Sequence, residues 1–244
     1  MIDLKSRADQ IYEHLLKSIS EMKPGDNKLP SEDELAVQFG VSRATIREAL
    51  KMLLRNGFIK TVHGKGTFGL PSVVHMKMRT NLNSSFMDFI KQEYKSCELQ
   101  IEWLGFQKAN PSLAPLLPDK EAEVHATNWL YYAAGAPVIW GESNVLKSAF
   151  SQPPKEDSEI LDLPQFAFRY LNNPMAYISY CVKCAVKPDV AQRFGIDPET
   201  PLVYWEEKYY DLLDYQFGAG IYYFHPEKIY LQTTISVEKI NHWY

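Results

Sequence analysis

The stretch from residue 41 to residue 57, VSRATIREALKMLLRNG, constrains the fold of this chain more than any other. Its apolar residues recur at i, i+3, i+4, i+7 and i+8, which predicts an amphipathic helix with one buried face. These residues are Ile46, Ala49, Leu50, Leu53 and Leu54. The other side carries a cation every fourth residue, at Arg43, Arg47, Lys51 and Arg55. Such a stripe is often only a solvated helix surface, so its neighbours in the sequence decide what it means.

A second, shorter helix is predicted directly before this one. Ser31 and Glu34 have the spacing of a capping box, in which each residue satisfies a free backbone amide of the other. Gly40 ends the short helix, and Ser42 is a plausible N-cap of the next one. Two helices joined by such a tight turn predict a helix-turn-helix. In that motif the start of the second helix enters the major groove of DNA, which selects Ser42, Arg43, Thr45 and Arg47 as contacts to bases or phosphates.

The segment after the second helix predicts a wing. Residues 57–62 have the composition of a strand, and residues 63–68, HGKGTF, that of a glycine-rich hairpin tip. Glycines on both sides of Lys65 allow close approach to another surface, so Lys65 and His63 are candidates to hold a phosphate or to enter the minor groove. An ordinary surface hairpin is the alternative. The predicted contacts of the wing are His63, Gly64, Lys65, Gly66 and Thr67.

These three motifs together resemble the N-terminal winged helix of the GntR superfamily of bacterial transcription regulators. The resemblance runs from the helix that begins near Ser6 to Gly69, and its strongest parts are KLPSEDELA (28–36), VSRATIREAL (41–50) and GKGTF (64–68). It implies that Ser31 also lies near the DNA. Members of the family often carry a basic residue where this chain has Asp33, so a contact made there by relatives is not expected here.

The charge distribution separates the two ends of the chain. Residues 1–80 hold 13 Lys and Arg against 9 Asp and Glu, whereas the remaining 164 residues hold 13 against 21. The net charge of −4 excludes a protein that coats nucleic acid with its whole surface. We expect a local basic patch to bind double-stranded DNA, with an affinity that falls steeply as salt rises.

No targeting, membrane or metal signal stands out. The N-terminus lacks the basic and apolar pattern of a signal peptide, and no apolar run approaches the roughly 20 residues that span a bilayer, so we expect a cytoplasmic protein without a membrane partner. Three cysteines are too few for a disulfide framework. Cys181 and Cys184 form a C-x-x-C pair, placed on a helical turn or a strand. Without a second ligand pair, a structural zinc or a thiol switch is the minor alternative, and we predict no metal and no cofactor.

The rest of the chain predicts a second, α+β domain. We expect a DNA-binding domain at 1–70, a linker at 71–85 and the second domain at 86–244. Ser84 or Ser85 would cap a helix at 86–95, and further helices are predicted at 163–171 and 188–194. Strands are predicted at 97–107, 124–132, 137–145, 202–210 and 229–237.

The order of these elements resembles the UTRA effector domain of the HutC-like branch of the same superfamily. The matching features are Gly135-x-Pro137 at the central turn, RFGIDPETPL (193–202) before a strand, and YFHPEKI (223–229) near the end. The resemblance implies an antiparallel sheet similar to chorismate lyase, a small-molecule pocket that controls DNA affinity, and a homodimer. The predicted fold class is therefore α+β, a winged helix-turn-helix followed by a chorismate-lyase-like effector domain.

The effector is expected to be a sugar, an aromatic metabolite or a cationic headgroup. Relatives that bind phosphorylated sugars place arginines where this chain has Trp129 and Tyr131, and an acid where it has Gly141 beside Glu142, which disfavours a phosphosugar. The aromatic residues suit a pocket that stacks on a ring or a cation, although packing in the core is the alternative for each of them. The predicted effector residues are Trp129, Tyr131, Trp140, Glu142, Arg169, Tyr177, Ser179 and Tyr223.

These features favour a ligand-controlled transcription regulator over an enzyme. His125, His225 and Glu142 are conceivable acid or base groups, but the sequence shows no nucleophile set and no metal-ligand cluster, so we predict no catalytic residues. We expect a repressor that binds a near-palindromic operator as a homodimer and is released by its effector. A ligand-dependent activator, a lyase-like enzyme and a purely architectural DNA binder are the alternatives.

Overall fold

A computed structural model describes residues 5–23, 25–80, 85–154 and 161–234. The chain divides into two compact units. The first takes the described residues up to Thr80 and returns at Gln232, and the second extends from Ser85 to Leu231. Among the described residues, no helix is long and apolar enough to cross a membrane.

The first unit begins with three helices around one core. Helix α1 spans Arg7–Ser20, α2 spans Glu32–Phe39 and α3 spans Arg43–Arg55. Ser6 caps α1 and Ser31 caps α2, each with a capping box, so both helix starts are fixed by local hydrogen bonds. The buried core residues are Ile11, Leu15, Ile19, Leu29, Leu35, Ile46, Ala49, Leu53, Phe58 and Ile59.

The buried face of α3 is narrower than the sequence predicts. Ile46, Ala49 and Leu53 are fully buried and Leu50 is partly buried, as expected. The prediction for Leu54 was wrong, since 49% of its surface is exposed. At about 100° per residue, Leu54 lies about 80° around the helix from Ile46, beyond the stripe that faces the core.

The predicted wing follows α3. Strand β1 spans Ile59–Val62 and pairs with the antiparallel strand β2, Gly66–Gly69. A bridge between Lys28 and Phe68 adds a third segment beside β2, and the Leu29 amide donates to the Thr67 carbonyl at 2.8 Å. The wing is therefore fastened to the segment that leads into α2.

A short helix α4, Pro71–Val74, follows the wing, and the end of the chain returns to the segment just after it. The predicted strand at 229–237 was wrong over its described part, where Gln232 forms only an isolated parallel bridge with Arg79. Residues 235–237 lie outside the described residues. Because Gln232 groups with the first unit, the second unit ends earlier than the predicted limit of 244.

The second unit is built on an antiparallel sheet of six strands in the order β3-β4-β5-β8-β7-β6. The predicted α+β fold is thus confirmed. The strands are β3 Cys97–Lys108, β4 Glu123–Ala133, β5 Ala136–Leu146, β6 Met175–Val186, β7 Pro201–Asp211 and β8 Gln216–Phe224. The helices are α5 Phe86–Lys91, α6 Leu163–Tyr170 and α7 Pro188–Phe194.

Three elements of this unit differ from expectation. Helix α5 ends at Lys91 instead of residue 95. Strands β6 and β8 were not predicted, because the C-x-x-C pair in β6 and the glycines Gly218 and Gly220 in β8 obscured their alternation. In β8 these glycines lie beneath tyrosine rings and do not form a turn.

Alternation along the strands gives the sheet two distinct faces. One face, here called the tyrosine face, carries Tyr131, Tyr209 and Tyr222, and Phe86 of α5 packs on it. The opposite face, here called the α7 face, carries Trp140 and Tyr223 in a core that includes Val190 and Phe194 of α7. The two faces therefore offer two separate environments for polar side chains.

Candidate functional site

The start of α3 is the first candidate site. Gly40 ends α2 in the left-handed conformation, with φ 61°, which leaves a tight turn before the next helix. The Ser42 hydroxyl accepts a hydrogen bond from the Thr45 amide at 3.2 Å and lies 3.0 Å from the Thr45 hydroxyl. A helix start attracts anions, because its free amides and the helix dipole both carry partial positive charge. Ser42 and Thr45 thus lie at an end of α3 that favours a phosphate.

Two arginines extend from this end of α3. Arg43 Nε lies 2.8 Å from Asp33 Oδ1, and Arg47 Nε lies 2.6 Å from Glu32 Oε2. Both arginine side chains remain 57% exposed. Exposed ion pairs of this kind contribute only about 0–1 kcal/mol, so another anion can replace the acids at small cost. The sequence did not predict these pairs, which connect the basic stripe of α3 to the first turn of α2.

Ser31 has a structural role in the same region. Its hydroxyl donates to the Glu34 carboxylate at 2.7 Å and accepts from the Glu34 amide at 3.3 Å. Hydrogen bonds from the side chain and backbone of Ser31 lower the pKa of the Glu34 carboxyl. The predicted contact of Ser31 to DNA therefore competes with its capping box.

The wing tip presents the remaining predicted contacts. His63, Gly64 and Lys65 are exposed at the turn, and a Cβ added to Gly64 would meet nothing within 4 Å. Gly66 has φ 105°, a conformation that strains any residue with a side chain, whereas the 2.9 Å approach of an added Cβ to Lys28 Cε could be relieved by movement of the lysine. The Thr67 hydroxyl lies across the hairpin, 3.1 Å from that of Thr61. His63, Gly64 and Lys65 thus form the accessible tip, while Gly66 and Thr67 belong to β2.

The predicted effector residues in the second unit do not form one pocket. Trp129 and Tyr131 are buried on the tyrosine face, whereas Trp140, Glu142 and Tyr223 lie on the α7 face. Because the sheet separates the two sets, the prediction of a single site with these residues needs correction. The reason is register: Trp140 and Glu142 lie opposite Leu130 and Asn128 of β4, which alternate with the two predicted aromatic residues.

The other three predicted effector residues are peripheral. Arg169 is exposed on α6, beside a surface cavity that Phe168 also lines. Tyr177 and Ser179 lie on β6, one of the two edge strands of the six-stranded sheet. Tyr177 stacks on Tyr210 with ring centroids 4.7 Å apart, and its hydrogen bond with Asp214 raises the pKa of Tyr177 to about 12.

The tyrosine face holds a buried polar cluster. The Trp129 indole donates to the Ser143 hydroxyl at 2.8 Å, and the Tyr209 hydroxyl donates to that of Tyr222 at 3.3 Å. Glycines of the neighbouring strands leave room for the rings, since an added Cβ would lie 2.2 Å from Tyr222 at Gly141 and 2.0 Å from Tyr209 at Gly220. Without these glycines the tyrosines would have to leave their positions against the sheet.

Glu207 is the acid of this cluster and was not among the predicted site residues. It is buried beside Tyr209, and burial raises the pKa of its carboxyl to about 8. Burial also raises the pKa values of Tyr131, Tyr209 and Tyr222 well above their ordinary range. At neutral pH the Glu207 carboxyl is therefore mostly protonated and able to donate a hydrogen bond, and a nearby cation would favour its ionised form. The alternation Trp205-x-Glu207-x-Tyr209 is the sequence signal from which its position on this face was predictable.

Phe86, the first residue of α5, packs against the aromatic part of the tyrosine face. Its ring centroid lies 4.8–5.8 Å from those of Tyr222, Tyr131, Trp205 and Phe224. Phe86 itself is only half-buried. Among the described residues, the buried Trp205 indole nitrogen has no hydrogen-bond partner. The tyrosine face thus combines an aromatic cluster with one free donor and one buried acid.

The three groups considered as acids or bases lie apart from one another. His125 is buried among aromatic rings on the tyrosine face, and burial lowers its pKa to about 4. Glu142 lies on the α7 face, where burial raises the pKa of its carboxyl, and His225 lies beyond the end of β8, close to Phe194. Across 5–23, 25–80, 85–154 and 161–234, no group of three His, Cys, Asp or Glu residues could hold a metal ion.

The two cysteines of the C-x-x-C pair lie on strand β6, where both are exposed. Residues three apart on a strand point to opposite faces. Cys181 and Cys184 therefore cannot bind the same ion while β6 keeps its pairing. This outcome matches the strand interpretation of the pair and rules out the helical turn.

Comparisons with known proteins fit this arrangement. Residues 7–68 match the model of the family described as bacterial regulatory proteins, gntR family. The chain is 32% identical over 114 residues to the HTH-type transcriptional repressor YtrA of Bacillus subtilis (strain 168), a match that covers 44% of this chain and 83% of YtrA. It is 43% identical over 61 residues to the mannosyl-D-glycerate transport/metabolism system repressor MngR of Escherichia coli (strain K12). That match covers 25% of this chain and 24% of MngR, so the chain spans only about a quarter of that relative.

A solved structure extends the comparison to both units. The crystal structure of YydK, a possible transcriptional regulator from Bacillus subtilis subsp. subtilis str. 168, superposes with a TM-score of 0.72 at 20% identity. The match covers 96% of this chain and 100% of that chain. At this identity the likeness shows the fold alone. From the helix-turn-helix, its family match and its similarity to YtrA, we conclude that the chain belongs to the GntR family of bacterial regulatory proteins.

Proposed function

We propose that this protein is a transcriptional repressor of the HutC-like type that binds operator DNA through α3 and the wing. The observation that carries the proposal is the start of α3, where a capped helix end and two exposed arginines lie together. Arginine forms bidentate hydrogen bonds with guanine or phosphate, so Arg43 and Arg47 are assigned to bases or phosphates. Ser42 and Thr45 are assigned to the phosphate nearest the helix start, and Lys65 and His63 to the DNA beside the wing.

The operator follows from symmetry. A homodimer would present two copies of α3, and two recognition helices reach major grooves about 10 base pairs apart, so the operator is a near-palindrome. Several matching relatives are named as repressors, among them YtrA and MngR, which supports repression as the mode of action.

We assign the effector to the tyrosine face of the second unit. Of the predicted effector residues, this assignment retains Trp129 and Tyr131 and adds Phe86, Trp205 and Glu207. The aromatic rings would hold a ring or a cation, while Glu207 and the free Trp205 indole would bind polar groups of the same molecule. A sugar, an aromatic amine or another cationic metabolite fits this chemistry.

The DNA-binding part is tested with the full chain and labelled duplexes. DNA from upstream of the protein's own gene is titrated against unrelated DNA at fixed salt, and we expect a preference of roughly 10³-fold or more. Arg43→Ala and Arg47→Ala should each weaken operator binding by about 1–3 kcal/mol. Arg55→Ala, at the far end of the same helix, is the matched control and should cost less. Equal binding of all three variants and the wild type would remove α3 from its assigned role.

The effector assignment is tested by thermal shift with small amines, free sugars and aromatic metabolites. We expect a compound that stabilises the wild type to weaken its hold on the operator, because an effector must favour one state over the other. Trp205→Phe removes the indole donor that has no partner among the described residues, and it should reduce the shift. Ser179→Ala on the edge strand serves as the control and should leave the shift unchanged. If only the Ser179 variant loses the response, the effector binds elsewhere.

A further inference from the structure

The two segments that precede and follow the second unit in the sequence are hydrogen-bonded to each other within the first unit. Arg79 and Gln232 form a parallel bridge. The Thr80 amide donates to the Gln232 carbonyl at 2.8 Å, and the Gln232 amide donates to the Met78 carbonyl at 3.2 Å. The chain thus leaves the first unit and re-enters it through two hydrogen-bonded neighbours, here called the paired segment (78–80 and 232–234).

Arg79 connects this paired segment to the end of the recognition helix. Its side chain is fully buried, and Nη2 donates both to the Asn56 carbonyl at 2.8 Å and to the Thr234 hydroxyl at 2.6 Å. Asn56 is the C-cap of α3. The guanidinium also lies 4.9 Å from the ring centroid of Phe58, the residue directly before β1. One side chain therefore contacts the end of α3, the start of the wing and the C-terminal segment.

The chemistry of arginine suits this position. The end of a helix carries partial negative charge, so a cation there is favoured, and a planar group with several donors can serve two acceptors while packing on a ring. The Asn56 side chain in turn donates to the Tyr12 hydroxyl at 2.9 Å, which extends the contact to α1. A buried charge is costly unless it is hydrogen-bonded, so Arg79 is retained in the core only while these partners are in place.

Within the second unit, the residues that follow α5 are hydrogen-bonded to residues 228–230 near the end of the unit. The Tyr94 hydroxyl donates to the Lys228 carbonyl at 2.9 Å, and the Tyr230 hydroxyl donates to Glu93 at 2.9 Å. Glu93 and Tyr94 follow α5, whose first residue, Phe86, packs on the tyrosine face. Residues 228–230 lead directly to Gln232. Hydrogen bonds therefore connect the residues that follow α5 to the segment that leads to Gln232.

We infer that Gln232 and Thr234 are functional parts of the DNA-binding unit and that Arg79 is a positioning residue for α3 and the wing. Through Arg79, a change in the second unit reaches the recognition helix without any contact between ligand and DNA. The inference rests on the proposed function, because it assigns to the paired segment the regulation of operator binding. It requires that the paired segment take two arrangements and that both the effector and the operator shift the balance between them.

The test uses the full chain with Arg79→Gln and Thr234→Val. Thr233→Val is the matched control, since Thr233 is exposed and adjacent to Thr234. Hydrogen exchange is measured at the amides of residues 56–58, together with operator affinity. Because the Asn56 carbonyl loses its partner, we expect exchange at 56–58 to rise about tenfold in Arg79→Gln, and less in Thr234→Val. Operator affinity should fall in the same order, while the control keeps wild-type values.

The double variant and the control separate the possible outcomes. The double variant should be no worse than Arg79→Gln alone, since Thr234 acts through Arg79. Unchanged exchange and operator affinity in both single variants would overturn the inference, and so would an equal response of Thr233→Val. If Arg79→Gln does not fold, Thr234→Val decides. A wild-type protein without operator preference would overturn the proposed function, and the exchange data would still show whether Arg79 holds the end of α3.

Discussion

The polar groups of the two units lie in opposite environments. Arg43 and Arg47 on α3 are exposed and paired with exposed acids, whereas Glu207 on the tyrosine face is buried beside Tyr209 and Tyr222. In water an ion pair is worth little, so the arginines can exchange their acids for phosphates. A buried acid has no such exchange available and changes its protonation state instead. Under the proposed function, the exposed arginines would give salt-dependent binding to DNA, and the buried acid would contribute to binding of the effector.

The largest expected effect is that of the buried Glu207 carboxyl on the free energy of unfolding. The folded protein keeps the Glu207 proton up to a pKa of about 8, whereas the unfolded chain releases it near the ordinary value of 4.5. Between these values the folded state binds more protons, so the free energy of unfolding falls as pH rises, by at most about 1.4 kcal/mol per pH unit. Glu207→Gln should remove this fall and stabilise the second unit at pH 8.

Urea unfolding followed by tryptophan fluorescence checks this prediction, because Trp103, Trp129, Trp140 and Trp205 all lie in the second unit. Glu206→Gln is the control. Glu206 is the next residue of β7, lies on the opposite face of the sheet and pairs with Lys183 at 2.7 Å. Parallel pH profiles for wild type and Glu207→Gln would show that burial of this carboxyl does not govern stability.

A smaller effect is expected from the glycines beneath the tyrosines. Gly220→Ala would place a Cβ 2.0 Å from the Tyr209 hydroxyl, so the ring must move. Overpacking of this kind costs about 1–3 kcal/mol, and we expect the second unit to lose that much in urea unfolding. Operator binding at low temperature should be kept, since no residue of the first unit is altered.

The background variant Tyr209→Phe sharpens this prediction. Without the hydroxyl, the nearest atom of residue 209 is the ring carbon that now lies 3.1 Å from the added Cβ. Gly220→Ala should therefore cost less in Tyr209→Phe than in the wild type. An equal cost in both backgrounds would mean that the clash is not with the hydroxyl.

The smallest expected effect on stability is that of the exposed ion pair between Arg43 and Asp33. Asp33→Asn removes the partner of Arg43, and we expect the stability of the first unit to change by less than about 1 kcal/mol. Operator affinity should rise a few-fold, because Arg43 no longer has to give up its ion pair with Asp33 before it contacts the DNA. Fluorescence anisotropy at several salt concentrations measures this rise. Glu48→Gln on α3 changes the net charge equally, so a rise of the same size in that variant would assign the effect to charge alone.

Prediction from sequence was most successful where structure is set by local contacts. The capping box at Ser31, the N-cap at Ser42 and the turn at Gly40 were all readable, because each involves residues within a few positions of one another. Helix α7 was also predicted with its observed limits. Leu54 was the exception, because the width of a buried stripe depends on what packs against it.

The candidate effector site was predicted less well because it depends on strand register. A shift of one residue moves a side chain to the other face, and the sequence does not specify which residues of β4 and β5 lie opposite each other. Trp129 and Tyr131 were therefore grouped with Trp140 and Glu142 across the sheet. Glu207 was overlooked for the same reason, although its alternation with aromatic residues was present in the sequence.

The sequence by itself determined the family, the helix-turn-helix and the residues at the start of α3, since these follow from spacing and capping along one stretch of chain. Only the tertiary structure decided which side chains share a face of the sheet and which partners Arg79 finds. Residue 79 is separated from residue 234 by the entire second unit, and no local pattern encodes their contact. Such contacts form only when the long intervening chain has folded, because their energy comes from burial and pairing in three dimensions.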